Sequence, residues 1–331
     1  MSAYILDCKV DYPSLFEERR VIQNGEQFLS GILHPDTNSP FYPSRSDLKI
    51  MRTDSISAVI TLCELLEDHK SIDRTLLNLF VASGVFIENV ENHMGHLLEV
   101  FEHIKNADTE EEKLKMIYRA SPPLLALQTL TNSTMSFVAQ YSKVMGNNAT
   151  FGNTSQSGFH AVSEAYDNAL FEDSQSIALS SNTAGDYSYM VNSSLRNDIS
   201  NWKESAATGA MLISSDKNKA KCEIVSCEQI NIIKKGLNQN WKVNTKVALD
   251  SDVLIYSGAF NLSENEYLTE TFAVHSNARS LFDDFGNLGP TNMFAASEIG
   301  IRLIKEGASK VDLFDKDIYG RESVIRLEKI K

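Results

Sequence analysis

The sequence predicts an α/β fold, because short apolar stretches with strand character alternate along its 331 residues with stretches whose apolar side chains recur at helical spacing. Three stretches carry this expectation. Residues 150–165 run as a short buried strand through a tight turn, Gly152-Asn153-Thr154-Ser155, into a helix on which Gly158, Ala161, Val162, Ala165 and Ala169 recur at helical spacing. Residues 175–180 follow as a strand and close a strand–helix–strand unit, which requires parallel strands and a right-handed connection. The theme returns in the second half, where a buried strand at 252–256 precedes a helix with Met293, Ala296, Ile299, Gly300, Leu303 and Ile304 on its buried face.

In chain order, residues 3–9 are apolar enough for a strand, and Pro35, Pro40 and Pro43 rule out regular structure across 34–47. With Asp54 or Ser55 as cap, Ile56, Val59, Ile60, Cys63 and Leu66 form an amphipathic helical stripe that stops at Glu67-Asp68-His69-Lys70. Residues 76–82 read as a buried strand and 88–105 as a helix. That helix carries His93, His96 and His103. Only His93 and His96 share a face closely and no cysteine joins them, so the expectation is a solvated face and no metal. Thr109-Glu110-Glu111-Glu112 opens the next helical piece with the charge that a helix N-terminus favours.

The stretch 127–145, with Leu130, Met135, Phe137, Val138 and Tyr141, reads as a buried helix, and the Ser/Asn-rich stretch 182–201 as a surface excursion. Strands at 209–213 and 222–226 are joined by the charged turn Asp216-Lys217-Asn218-Lys219. Ser263-Glu264-Asn265-Glu266 reads as a capping box for a helix through Phe272, Gly307 ends the last helix, and 311–314 with 323–327 form a closing hairpin.

Composition sets bounds. The chain is 42% hydrophobic and 23% charged, with no apolar run near the length that spans a bilayer, and residues 1–7 lack a basic region followed by an apolar one. The expectation is a cytoplasmic protein. A net charge of −13 argues against nucleic acid and anionic membrane as partners. Cys8, Cys63, Cys222 and Cys227 read as reduced, mostly buried thiols with no disulfide or metal role.

The turn at 152–155 is the place for chemistry. A side chain held at a helix N-terminus meets unpaired N–H groups and the positive end of the dipole, which favour a nucleophile or an oxyanion. The run Ser155-x-x-Gly158-x-His160-Ala161-Val162-x-Glu164-Ala165 resembles the nucleophile turn of β-ketoacyl-carrier-protein synthases, with Ser155 where that family has cysteine. A second register matches Gln156-Ser157-Gly158-Phe159 to the Cys-Ser-Gly-Phe run of the priming synthases and puts Gln156 at the head. Residues 255–261, followed by Glu270, resemble the family's His-Gly-Thr-x-Thr loop, with Ser257 for histidine and with Ala259 and Asn261 for the threonines. Phe285-Gly286-Asn287-Leu288-Gly289-Pro290 resembles Lys-x-Asn-x-Gly-His, with Phe285 for lysine and Pro290 for histidine; a shift that matches Asn287 to the asparagine of the priming synthases fits the flanks less well. Ala120-Ser121-Pro122-Pro123-Leu124-Leu125 and Asn132 are similar to the Ser-Pro run and asparagine that precede the nucleophile strand. His160 reads as a packed helix residue, since the elongating synthases also show histidine there.

The resemblance implies a thiolase-like five-layer αβαβα sandwich built of two similar halves, 1–205 and 206–331, although no close internal sequence repeat is visible. It also implies that the catalytic Cys-His-His set is gone. Neither Ser155 nor Gln156 replaces a thiolate, because a hydroxyl far above neutral pKa needs a base and an amide is no nucleophile. The implied function is a non-catalytic subunit similar to the chain-length factors of type II polyketide and aryl-polyene-type systems. It would pair as a heterodimer with an active ketosynthase and meet acyl carrier protein mainly through that partner, without a cofactor. Met135, Phe137 and Phe159 are the candidates for tunnel or interface side chains. Two alternatives stay open: a Ser155-dependent acyltransferase or hydrolase on the same scaffold, and a homodimeric scaffold without acyl chemistry.

Overall fold

A computed structural model describes residues 2–20, 27–84, 101–102, 104–105, 109–120, 130, 132–152, 154–184, 200–230, 243 and 251–331. β1 (Ala3–Asp11), β2 (Leu15–Arg20) and β3 (Gln27–Ile32) lead through the proline-bearing loop to α1 (Thr53–Glu67) and β4 (Asn78–Ser83). α2 (Glu110–Ala120) and α3 (Ser133–Ser142) precede β5 (Asn148–Gly152), α4 (Gln156–Glu172) and β6 (Gln175–Asn182). Then come β7 (Lys203–Ser205), β8 (Ala207–Ser214), β9 (Cys222–Ile230), β10 (Val253–Tyr256), α5 (Leu262–Phe272), β11 (Ala278–Ser280), α6 (Leu281–Phe285), α7 (Asn292–Glu306), β12 (Lys310–Lys316) and β13 (Glu322–Glu328).

Ten strands form one sheet in the order β11-β10-β12-β13-β9-β1-β8-β6-β4-β5. One pattern occurs twice in it. β4 lies between parallel β5 and β6, then β8 runs antiparallel to β6 and β1 antiparallel to β8. β10 lies between parallel β11 and β12, then β13 runs antiparallel to β12 and β9 antiparallel to β13. β1 and β9 pair through Ala3 with Ile224 and Ile5 with Cys222 and join the two sets. In the chain, the turn 215–221 links β8 of the first set to β9 of the second. β8 and β9, neighbours in the chain across that turn, are separated in the sheet by β1.

Alternation along the strands builds the layers. Phe80, Ala82, Ala178, Met211 and Ile213 of the first set face inward, as do Ile255, Val311, Leu313, Ile325 and Leu327 of the second; both line one core with Phe159, Val162 and Ala165 of α4 and Phe294, Ala295 and Ile299 of α7. The opposite residues of the first set, Leu79, Val81, Ile177, Leu179, Ala210 and Leu212, pack against α1 and α3. Those of the second, Leu254, Tyr256, Phe314 and Val324, pack against Leu268 and Phe272 of α5. The result is helix, sheet, helix pair, sheet, helix: the five layers the resemblance implies.

Local chemistry differs from the sequence expectation in two places. Asp54 does not cap α1; Arg52 holds the cap position and pairs with Asp54 through Nε and Nη2 at 2.9 and 3.1 Å, both residues buried, while Ser181 donates to the same carboxylate. Burial opposes ionisation of Asp54, but Arg52 and the Ser181 hydroxyl outweigh it and hold the carboxyl below its usual range. The capping box lies two residues earlier than expected: Asn261 Oδ1 accepts from Glu264 N at 2.9 Å, and Glu264 Oε2 accepts from Phe260 N at 2.9 Å. Thr109 does take up an amide of α2, accepting from Glu112 N at 3.2 Å. The helix expected over 127–145 is described as α3 alone. His93, His96 and His103 with most of the helix expected around them, the run at 121–125 and most of the stretch 182–201 lie outside the described residues.

Candidate functional site

Four side chains from three separate loops converge on one carboxylate, that of Asp315 near the end of β12. Ser257, the first residue beyond β10, donates its hydroxyl to Asp315 Oδ1 at 2.7 Å. Asn292, the first residue of α7, donates Nδ2 to the same oxygen at 3.0 Å. Gln156, the first residue of α4, donates Nε2 to Oδ2 at 3.0 Å. Ser155, at the N-cap of α4, is buried and makes no capping bond; its hydroxyl has no hydrogen-bond partner among the described residues yet lies close enough to favour the carboxylate form of Asp315.

The repeated topology explains the convergence. α4 and α7 hold the same place in the two sets, each connecting an outer strand (β5 or β11) to the strand two places inward (β6 or β12). Their first turns therefore face each other, and the positive ends of both dipoles point at Asp315. The halves even share a strand ending: Val81-Ala82-Ser83-Gly84 leaves β4 as Ile255-Tyr256-Ser257-Gly258 leaves β10. The second of these turns needs its glycine, since Gly258 has φ of +104° and a Cβ there would overlap the backbone of Lys316.

Pro290 does not reach Asp315 with a functional group. It lies in the 3₁₀ turn Gly289–Thr291 and presents its carbonyl to α4, so closely that a Cβ on Gly158 would overlap it. Asn287 fixes that turn, accepting from Gly289 N at 2.8 Å and donating to Ala259 O at 3.0 Å. Ser155, Gln156, Ser257 and the Pro290 turn thus form one place, and both registers of the nucleophile turn put their head residue beside Asp315. Phe159 packs in the central core, whereas half-buried Met135 and Phe137 lie on α3, across the first set of strands. The structure does not bring these three together.

The electrostatics follow from burial. Asp315 is inaccessible, and the loss of water raises its pKa to about 6 against the opposing hydrogen bonds of Ser257 and Asn292 and the nearness of the Ser155 hydroxyl; the nearby charge of Asp317 pushes the same way as burial. His160 lies one helical turn along α4. Its ring meets Gln229 Nε2 at 3.5 Å, and Gln229 in turn donates to Gln156 Oε1 at 3.1 Å. Burial, then the Arg321 guanidinium, hold this imidazole below its usual pKa. Among the described residues no thiol or imidazole hydrogen bonds to Ser155, Gln156, Ser257, Asn292 or Asp315. The four cysteines are free, and burial pushes Cys63 to about 11, Cys222 to about 12 and Cys8 well above its ordinary value. No group of three or more potential metal ligands occurs among the described residues, and none of their helices is long and apolar enough to cross a membrane.

No protein-family model and no curated protein matches the chain. Solved structures do. A β-ketoacyl synthase from Burkholderia phymatum STM815 superposes with a TM-score of 0.71 at 13% identity, over 100% of both chains. A chain from a complex of a type II polyketide synthase acyl-carrier protein with its ketosynthase bound to the hexaketide gives 0.69 at 10% identity, over 99% of both chains. The chain has a ketosynthase fold. Ketosynthase twelve of the bacillaene polyketide synthase in Bacillus amyloliquefaciens gives 0.65 at 10% identity, over 100% of this ketosynthase-like chain and 73% of the other. The likeness is one of backbone.

Asp315, Asn292 and Gln229 escape the sequence reasoning. The one signal is in Val311-Asp312-Leu313-Phe314-Asp315-Lys316-Asp317, where charges interrupt an otherwise apolar strand. The ion pairs of Lys316 with Glu322 at 2.8 Å, Arg326 with Asp312 at 2.8 and 2.9 Å and Arg321 with Asp317 at 2.6 Å account for three of those four charges; Asp315 is the one turned to the site.

Proposed function

We propose that this ketosynthase-like chain is a non-catalytic subunit of the chain-length-factor type, which pairs with an active ketosynthase in type II polyketide or fatty-acid-like synthesis. The observation that carries the proposal is the content of the pocket. Where the resemblance aligns a cysteine and two histidines, this chain presents Ser155 or Gln156, Ser257 and Pro290, and the hydroxyls and amides there are tied to a buried carboxylate. Acyl transfer needs a thiolate, and decarboxylation needs donors free to meet an enolate oxygen. Three of the donors here are already committed to Asp315.

Pairing has a natural site in this proposal. β5 ends the ten-stranded sheet and leads into the α4 turn, and α3 lies beside it, with Thr150 donating to Met135 Sδ at 3.3 Å. Met135 and Phe137 would border the partner, while Phe159 supports the turn from beneath. An acyl carrier protein occurs with its ketosynthase in one of the neighbouring structures. The net charge of −13 favours carrier docking on the partner over docking on this chain. Co-expression with an active type II ketosynthase from the same source, followed by size-exclusion chromatography with mass determination, tests the proposal. A one-to-one complex is expected, and a monodisperse monomer that ignores the ketosynthase contradicts it.

One observation favours a second reading. The Ser155 hydroxyl is uncommitted at a helix start and stands beside a carboxylate that titrates near neutrality, the elements of a Ser155-dependent acyltransferase or hydrolase. That reading requires acylation of Ser155 by an acyl thioester, lost in Ser155→Ala.

A further inference from the structure

We infer that the pocket between the first turns of α4 and α7 is a carboxylate-binding site which the chain fills with its own Asp315, and which takes a free small monocarboxylate when that side chain is shortened. The inference concerns what this pocket binds and does not depend on partner pairing. Its donor set matches the ligand. A planar carboxylate offers about four lone-pair directions. Three are met by Ser257 Oγ, Asn292 Nδ2 and Gln156 Nε2 at 2.7, 3.0 and 3.0 Å, and the buried, unpartnered Ser155 hydroxyl stands at the same place.

The donors are held by contacts that do not involve the carboxylate. Gln156 Oε1 accepts from Gln229 at 3.1 Å, Asn292 Oδ1 accepts from Leu288 N at 3.0 Å, and Ser257 N donates to Phe314 O at 3.0 Å. Removal of the Asp315 carboxylate therefore leaves a preorganised cradle in which Asn292 Nδ2 loses its acceptor, while Ser257 Oγ falls back on Phe314 O at 3.1 Å and Gln156 Nε2 on the backbone Asp315 O at 3.4 Å, so a ligand regains better-placed bonds at little ordering cost. Every direct donor is neutral. Lys316, the next residue, turns away to Glu322, as alternation along a strand requires. Neutral amides and hydroxyls with two helix N-termini suit a singly charged, planar anion rather than a phosphate.

Size gives the test its discrimination. Asp315→Ala keeps Cβ and leaves room for formate; Asp315→Gly removes Cβ as well and leaves room for acetate, whose methyl group replaces it. Full-length wild type and both variants are refolded from urea, and their melting temperatures measured, in sodium formate, acetate and chloride at equal ionic strength. The expected results are formate-specific stabilisation of Asp315→Ala and acetate stabilisation of Asp315→Gly, with no such response in wild type or Asp315→Asn. At ten times the dissociation constant the folded-to-unfolded ratio rises about tenfold. Adding Ser257→Ala to Asp315→Ala should weaken the formate response. Equal melting temperature and equal recovery of folded protein in formate and chloride for Asp315→Ala, including no recovery in either, overturn the inference.

Discussion

The Ser257 hydroxyl donates to Asp315 Oδ1 at 2.7 Å and ties the loop after β10 to the end of β12. The bond joins a position where the ketosynthase resemblance places a histidine to a carboxylate that no sequence motif announces. With the bonds from Asn292 and Gln156 to the same carboxylate, it holds three separate loops together at one place.

Asp315 makes stability depend on pH. Its pKa is about 6 in the folded chain against an ordinary 3.8, so its contribution is fully present below about pH 3.8 and is lost as pH rises through about 6. The rise corresponds to about 3 kcal/mol at 1.36 kcal/mol per pH unit. The charged groups facing it, Asp317, Arg321 and His160, are present in wild type and Asp315→Asn alike. Urea midpoints across pH 4 to 7 should show wild type losing this increment relative to Asp315→Asn, and a constant offset between the two curves contradicts the assignment.

Gly158 is fixed by a close approach rather than by backbone angle. A Cβ there would overlap Pro290 O, a backbone atom that cannot swing aside. Gly158→Ala should cost at least the ~1–3 kcal/mol typical of overpacking, visible as a lower melting temperature. An unchanged melting temperature means the α4 turn and the Pro290 turn are not in contact.

Lys316 and Glu322 are fully buried and pair across the β12–β13 hairpin at 2.8 Å. Lys316→Met deprives the buried Glu322 carboxylate of its lysine and should cost about 3–5 kcal/mol, whereas Lys316→Met with Glu322→Leu should recover most of the loss. Denaturant midpoints of the single and double variants decide it. A double variant as unstable as the single one contradicts a simple pair.

A thiol placed at the head of α4 should remain unreactive. In Gln156→Cys, burial and the neighbouring Asp315 charge hold the thiol above the ordinary ~8.5, despite the helix N-terminus. Alkylation at neutral pH, followed by peptide mapping, should be slower than that of free cysteine and faster when Asp315→Asn is added. Fast labelling of the single variant is the contrary outcome.

The sequence makes the alternation of strands and helices, the strand–turn–helix at Ser155 and the closing hairpin readable, because each rests on local periodicity and turn residues. The Asn261 cap is harder to read than the Ser263 box, since Asn261 differs from it only in the two-residue register that tertiary contacts choose. The repeated strand order is hidden for a physical reason: layers need only inward and outward apolar faces, which many residues satisfy. Ser155, Gln156, Ser257 and Pro290 are legible as a group through their spacing. Asp315 and Asn292 are not, because their roles arise from the meeting of two helix starts some 140 residues apart in the chain.

The most direct test of a pocket without acyl chemistry of its own is the intact mass of the purified chain after incubation with an acyl thioester such as an acyl-N-acetylcysteamine. The account predicts an unchanged mass, alone and in complex with the partner ketosynthase, whose own cysteine takes the acyl group. A stoichiometric mass increase mapped to Ser155 and lost in Ser155→Ala would contradict it.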